Sequence, residues 1–261
     1  MKATANGINI NYRIDGPEGA PWLVFSNSLA TSLSMSDEQM AALKDSFRVL
    51  RYDQRGHGGS DAPAGRYAFD TLLADALALM DALAIEKANF AGLSMGGATA
   101  LGLAERHPGR LERIVIADSP SQSTPQSSQQ WEERIAVAQK QRIEALVEST
   151  IARWFPAETV AQNPPHLDKV RPMIRATRVN GFIGCAAALA AHDYASAVAT
   201  VKCHTLFIVG EKDGATPAAM AKLHEKLPGS RLVTLAGAGH ISNMDRPAEF
   251  DRALRDFLIG K

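Results

Sequence analysis

The sequence predicts an α/β protein. Its sheet is mostly parallel, opened by an N-terminal antiparallel hairpin, covered by helices on both faces and interrupted by a helical insertion. Three observations predict this. Short apolar runs alternate with stretches of helical periodicity from residue 21 to 118, and again from 204 onward, the rhythm of a covered parallel sheet. Between about 129 and 199 that rhythm stops and only helical spacing remains. Ahead of both, residues 8–13 alternate apolar and polar, which marks a half-buried strand.

The elements follow in order. Asn6-Gly7 separates two alternating stretches and predicts a hairpin with a primed turn, Ile8, Ile10 and Tyr12 facing inward. Pro21 to Ser26 is a continuous apolar run, hence a strand covered on both faces. A polar loop, Asn27 to Thr31, leads to a helix around Asp37 to Lys44. Phe47 to Tyr52 is the next strand. The glycine-rich segment Asp53 to Ser60 follows it; it lacks the lysine and spacing of a phosphate loop and is read as a structural turn. Leu72 to Leu83 has helical spacing. Lys87 to Ala91 is a buried strand, Gly97 to Ala104 a helix of small residues, and Leu111 to Asp118 a further strand. Ser119 to Ser128, rich in Ser, Pro and Gln, is expected to be a linker or exposed loop. One long or broken helical segment is expected from Trp131 to Trp154, and further helices around Leu167 to Thr177 and Phe182 to Ala191, with a break at Asn163-Pro164-Pro165. The strand at His204 to Val209, the helix from Pro217, the strand at Ser230 to Leu235 and the helix from Pro247 complete the chain. The expected division is a core of residues 1–120 and 200–261 carrying a helical cap, 121–199.

Chemistry enters at Gly92-Leu93-Ser94-Met95-Gly96. A serine between a strand and a helix takes a strained turn, and small residues two positions either side keep that turn free of collisions. The hydroxyl then stands at a helix N-terminus, where N–H groups and the dipole favour developing negative charge. A serine needs an imidazole to take its proton, and the imidazole needs a carboxylate to fix its tautomer. His240 and Asp213 each sit in a loop just after a later strand, and sites in open α/β sheets form beyond the carboxyl ends of strands. The candidate catalytic set is therefore Ser94, Asp213 and His240. Asp118, which also ends a strand, is the rival acid. His57 is placed on the far side of a structural loop, and His107 at a helix end. The oxyanion hole is expected from the backbone N–H groups of Met95 and Leu29.

The chain as a whole excludes several classes. It has 261 residues, 28 Lys plus Arg against 28 Asp plus Glu, and a formal net charge of zero, which gives no footing for nucleic acid or a membrane surface. Two cysteines, Cys185 and Cys203, form no disulfide framework or metal cluster. Neither a signal-peptide pattern nor a membrane-length apolar run is found, so a cytoplasmic location is expected.

With these residues in view, the chain resembles the α/β-hydrolase superfamily over essentially its whole length. The resemblance is carried by Gly92 to Gly97, by Asp53-x-Arg55-Gly56-His57-Gly58-x-Ser60 and by Gly239-His240. Within it, the chain is similar to the 3-oxoadipate enol-lactonases, through Ser26-Asn27-Ser28-Leu29, Arg153-Trp154-Phe155 and His240-Ile241-Ser242-Asn243. It departs at Ala30, where glycine is expected, and at Met35, often a tryptophan. The resemblance implies a cofactor-free serine hydrolase acting on carboxylic ester bonds, with a small carboxylated enol-lactone as substrate and a place in aromatic catabolism. A general carboxylesterase, a perhydrolase and a binding receptor without turnover are the alternatives. The implied substrate carboxylate calls for a cation or polar donors in the cap. Trp131 and Arg134, three apart on a helix, share a face and are the expected pocket wall and carboxylate partner, with Ser28 and Trp154 as further substrate-binding residues.

Overall fold

The computed structural model describes residues 1–260. The first hairpin joins β1 (Lys2–Ala5) to β2 (Ile8–Asp15). Asn6 and Gly7 both have positive φ, 46° and 75°, as a primed turn requires. Ile8, Ile10 and Tyr12 are buried while Asn9 and Arg13 are exposed. Strands β3 (Trp22–Ser26), β4 (Arg48–Tyr52), β5 (Ala88–Leu93), β6 (Leu111–Ala117), β7 (His204–Gly210) and β8 (Arg231–Leu235) complete one eight-stranded sheet in the order β1-β2-β4-β3-β5-β6-β7-β8. β1 and β2 pair antiparallel with their neighbours, and every pairing from β4 to β8 is parallel. All six residues of β5 are buried, as a central strand covered on both faces must be.

The helices that cover the sheet are α1 (Asp37–Leu43), α2 (Phe69–Ala82) and α3 (Met95–Arg106). Between β6 and β7 run α4 (Pro125–Gln141), α5 (Val147–Trp154), α6 (Ala157–Gln162), α7 (Pro165–Ala176) and α8 (Val179–Ala191). After β7 come α9 (Thr216–Lys226), the short α10 (Ser242–Asp245) and α11 (Pro247–Leu258). α1 packs on α11, α2 on α3, and α4 on α8.

Two expectations change. The helix expected from Leu72 begins at Phe69. Of the long or broken segment expected from Trp131 to Trp154 the structure shows the broken form, with a 3₁₀ turn at Ile143–Leu146 and φ 63° at Arg142. The expected Ser119–Ser128 loop is half helix, because α4 starts at Pro125. Thr124 accepts from the Ser127 N–H, the Ser127 hydroxyl accepts from the Thr124 N–H, and proline occupies the first turn. That is a capping box with Ser in place of Glu.

Candidate active site

Ser94 joins β5 to α3 with φ 56° and ψ −113°, a conformation that L-residues avoid unless their surroundings impose it. The glycines around it are sterically required. A Cβ on Gly92 would lie 1.9 Å from the Gly96 carbonyl oxygen, and one on Gly96 would lie 2.0 Å from that of Ser26. The turn is pinned by Ser94 N–H donating to Ala117 O (2.8 Å) and Gly96 N–H donating to Asn27 O (3.0 Å).

The three candidate residues meet. Ser94 Oγ lies 2.9 Å from His240 Nε2, and His240 Nδ1 lies 2.8 Å from Asp213 Oδ2. The Asp213 contact makes Nδ1 the protonated nitrogen and leaves Nε2 to accept from the serine. Burial works to lower the His240 pKa, but the charge and hydrogen bond of Asp213, with Asp118, outweigh it and the net shift is upward. Trp154 stacks on the imidazole with centroids 6.5 Å apart, and its carbonyl accepts the His240 N–H at 2.7 Å.

Asp118, the rival acid, makes no contact with His240. It lies one residue beyond β6, fully buried, with φ 48°. Its Oδ1 accepts from the Gly210 N–H at 2.8 Å, and Ser242 Oγ contacts Oδ2. Burial and the neighbouring Asp213 push its pKa up to about 8.

Leu29 lines the cavity beside Ser94, and Met95, next after the serine, opens α3. Among the described residues neither backbone N–H has a hydrogen-bond partner. The Leu29 loop is held by a residue that sequence reasoning placed elsewhere. His57 is not remote: its Nε2 accepts from the Ala30 N–H at 2.9 Å, and its Nδ1 lies 3.0 Å from Arg55 O. Burial lowers its pKa, which keeps it neutral and able to accept. Ala30 has φ 59°, the left-handed conformation that explains the expected glycine. The glycine-rich turn thus buttresses the oxyanion loop, and Asp53 adds a bond from the Leu33 N–H at 2.7 Å.

Above Ser94 lies a cavity of about 720 Å³. Ser28, Trp131, Arg134 and Trp154 line it, and so does Arg153. Arg153 stacks over the Trp131 ring at 4.9 Å from its centroid. Arg134 donates to Thr150 Oγ1, and its Nε is buried without a partner. Burial, then the charge of Arg153, lowers the Arg134 pKa to about 10. Burial also lowers that of Arg153, with Asp213 opposing. Among the described residues neither arginine has a carboxylate within 4.0 Å. Ser28 Oγ, too, is buried and unpaired. Arg153 was visible in the sequence only as part of a motif; its stacking on Trp131 depends on the turn between α4 and α5. No cluster of three or more metal-ligating side chains occurs among the described residues, and no helix is long and apolar enough to cross a membrane.

Comparison with known proteins agrees with this geometry. The family model described as alpha/beta hydrolase fold matches residues 21–247. The chain is 34% identical to 3-oxoadipate enol-lactonase 2 of Acinetobacter baylyi, over 96% of this chain and 93% of that protein. It is 31% identical to a putative carbamate hydrolase RutD of Pseudomonas savastanoi, over 92% and 94%. The crystal structure of the enol-lactonase from Burkholderia xenovorans LB400 superposes with a TM-score of 0.95 at 41% identity, covering 99% of this chain and 100% of that one. A family model that matches most of the chain, a relative 34% identical over nearly its whole length and a superposition with a TM-score of 0.95 lead to one conclusion: the chain belongs to the alpha/beta hydrolase family.

Proposed function

We propose that this protein hydrolyses a small enol-lactone bearing a free carboxylate, as 3-oxoadipate enol-lactone does, through an acyl-enzyme on Ser94. One observation carries the substrate class: Arg134 and Arg153 face the cavity over Ser94 with no carboxylate of their own. Two partly desolvated cations side by side are costly unless an anion joins them. A substrate carboxylate supplies it, with the two guanidiniums as partners and Trp131 as a wall.

In this reading residues 121–199 act as a cap that selects substrate, and the core carries the chemistry. His240 Nε2 takes the Ser94 proton as Oγ attacks the lactone carbonyl. The Met95 and Leu29 N–H groups hold the resulting oxyanion. Collapse breaks the ring C–O bond, and His240 returns its proton to the departing enol oxygen, which stays tethered to the acyl chain and tautomerises to a ketone. Water then gives a proton to His240 and attacks the acyl carbon; as the second tetrahedral intermediate collapses, the acyl–Oγ bond breaks and His240 returns that proton to Ser94, leaving the acid product. Asp213 steadies the imidazolium in both halves.

The test is a spectrophotometric assay on 3-oxoadipate enol-lactone. Wild type turns it over, and Ser94→Ala loses about 10³-fold or more in kcat. Arg134→Ala raises KM for the carboxylated lactone and leaves KM for an uncharged ester unchanged. Equal effects on both end the carboxylate assignment. The cavity, about 720 Å³, exceeds what a small lactone fills and favours a second reading, a broad carboxylesterase. Higher kcat/KM on bulky neutral esters than on the lactone decides for it.

A further inference from the structure

Beside the nucleophile turn lies a small cavity of about 20 Å³ that shares no lining residue with the substrate cavity. Ser26, Asn27, Gly92, Val115 and Asn243 are among the residues that line it, and all of them are buried. The two asparagines come from opposite sides of the catalytic centre. Asn27 belongs to the loop that ends in Leu29, and Asn243 follows His240 by three residues.

Both side-chain amides have fixed orientations. Asn27 Nδ2 donates to Tyr52 O at 2.9 Å. Asn243 Nδ2 donates to Met35 O and to Gln39 Oε1, each at 2.9 Å. Each amide nitrogen is therefore tied to a carbonyl oxygen, and rotating either amide would set oxygen against oxygen. What remains is one oxygen from each: Asn27 Oδ1 and Asn243 Oδ1, both buried and both without a partner. A buried acceptor without a donor is costly. Here two such acceptors belong to residues that line one cavity.

We propose that this cavity is a site for a single ordered water, which donates one hydrogen to Asn27 Oδ1 and the other to Asn243 Oδ1. The match is one of number and size. The unpaired groups are two acceptors, water carries two protons, and the space takes one molecule and not two. An ammonium ion would bring a charge into a lining whose nearest groups are neutral, and an apolar guest would leave both oxygens unpaired. The water links the oxyanion loop to the loop carrying His240, so that hole and base keep one relative position while Ser94 reacts between them. Asn27 and Asn243 are positioning residues in this account. Neither touches substrate.

A crystal structure of the intact protein at a resolution that shows single waters tests the site directly. The expected result is one peak at about 2.7–3.0 Å from both oxygens. An empty cavity, or an amide turned so that its nitrogen faces the space, overturns it. Val115→Ile gives a second test that leaves both asparagines in place, since one added methylene fills the space. With a water there, the variant loses the peak and its Tm falls by about 2–6 °C, as two acceptors are left unpaired. In a dry cavity the same methylene leaves Tm unchanged or raises it, which also overturns the site. The coupling between loops rests on the hydrolase reading and has its own readout. In Val115→Ile, kcat for an uncharged ester falls several-fold with KM unchanged, and an unchanged kcat overturns the coupling while the crystallographic result stands by itself.

Discussion

Asp118 and Asp213 are carboxyl groups near the same histidine, and their surroundings separate their roles. Asp213 touches His240 Nδ1 at 2.8 Å. Asp118 is sealed in, with a pKa pushed up to about 8 by burial and by Asp213. Near neutrality the raised pKa favours protonated Asp118; when it ionises, the Ser242 hydroxyl donates to it. The proposed reaction needs His240 neutral, and its pKa is raised above 6.5, so kcat/KM is expected to fall as pH drops through that raised value. A second change is expected near pH 8. An ionised Asp118 stabilises the imidazolium that forms as Ser94 attacks, so kcat rises again there. In Asp118→Asn the second rise disappears and the acid limb stays. A pH series on an uncharged ester checks this, and an identical second rise in the variant rejects the role.

At the scale of elements, α4 shows how a local signal fixes a distant surface. Its N-terminus is set by the Thr124–Ser127 box, and the register fixed there places Trp131 and Arg134 on the cavity side. Thr124→Ala removes one side of the box, at a cost of about 1 kcal/mol. The expected fall in Tm is about 2–4 °C, measured by calorimetry. An unchanged Tm would mean that packing of α4 on α8 alone sets the helix. The same element shows what a sequence reveals and what it conceals. The Ser94 turn was legible because hard sterics allow only small residues at 92 and 96. Asp213 and His240 were legible because each follows a strand whose end points to one side of the sheet. The start of α4 was hidden under a Ser/Pro/Gln composition that reads as loop, although Thr124-Pro125-Gln126-Ser127 held the capping pattern. Arg153 and the support that His57 gives the oxyanion loop were not legible. Both depend on where separate loops cross in space, and neither residue sits in a periodicity that points there.

For the whole molecule, the buried titratable groups set how stability depends on pH. His57, His166 and His192 all have pKa values lowered, first of all by burial. They are neutral in the fold and gain protons more readily when it unfolds. Below 6.5 the unfolded chain therefore binds more protons, and stability falls as pH falls. Asp118 acts in the opposite sense. Its folded pKa is about 8 against 3.8 when free, so between those values the folded protein holds the extra proton and stability falls as pH rises. His240, raised by its partners, adds to that loss just above 6.5. Asp75 and Asp251, raised by burial, act with Asp118 at the acid end, so below 6.5 three aspartates oppose three histidines, and above it Asp118 and His240 act without opposition from the histidines. The thermal midpoint is thus expected to decline gently from pH 6.5 to about pH 8, where Asp118 has ionised. Calorimetric scans from pH 5 to 9 measure the curve. Asp118→Asn isolates its upper limb, because an amide has no proton to lose. The gentle decline above pH 7 should flatten in that variant, while below 6.5 the loss of the opposing aspartate lets stability fall more steeply toward acid, and a decline of equal size above pH 7 in both proteins would place its origin in a group other than Asp118.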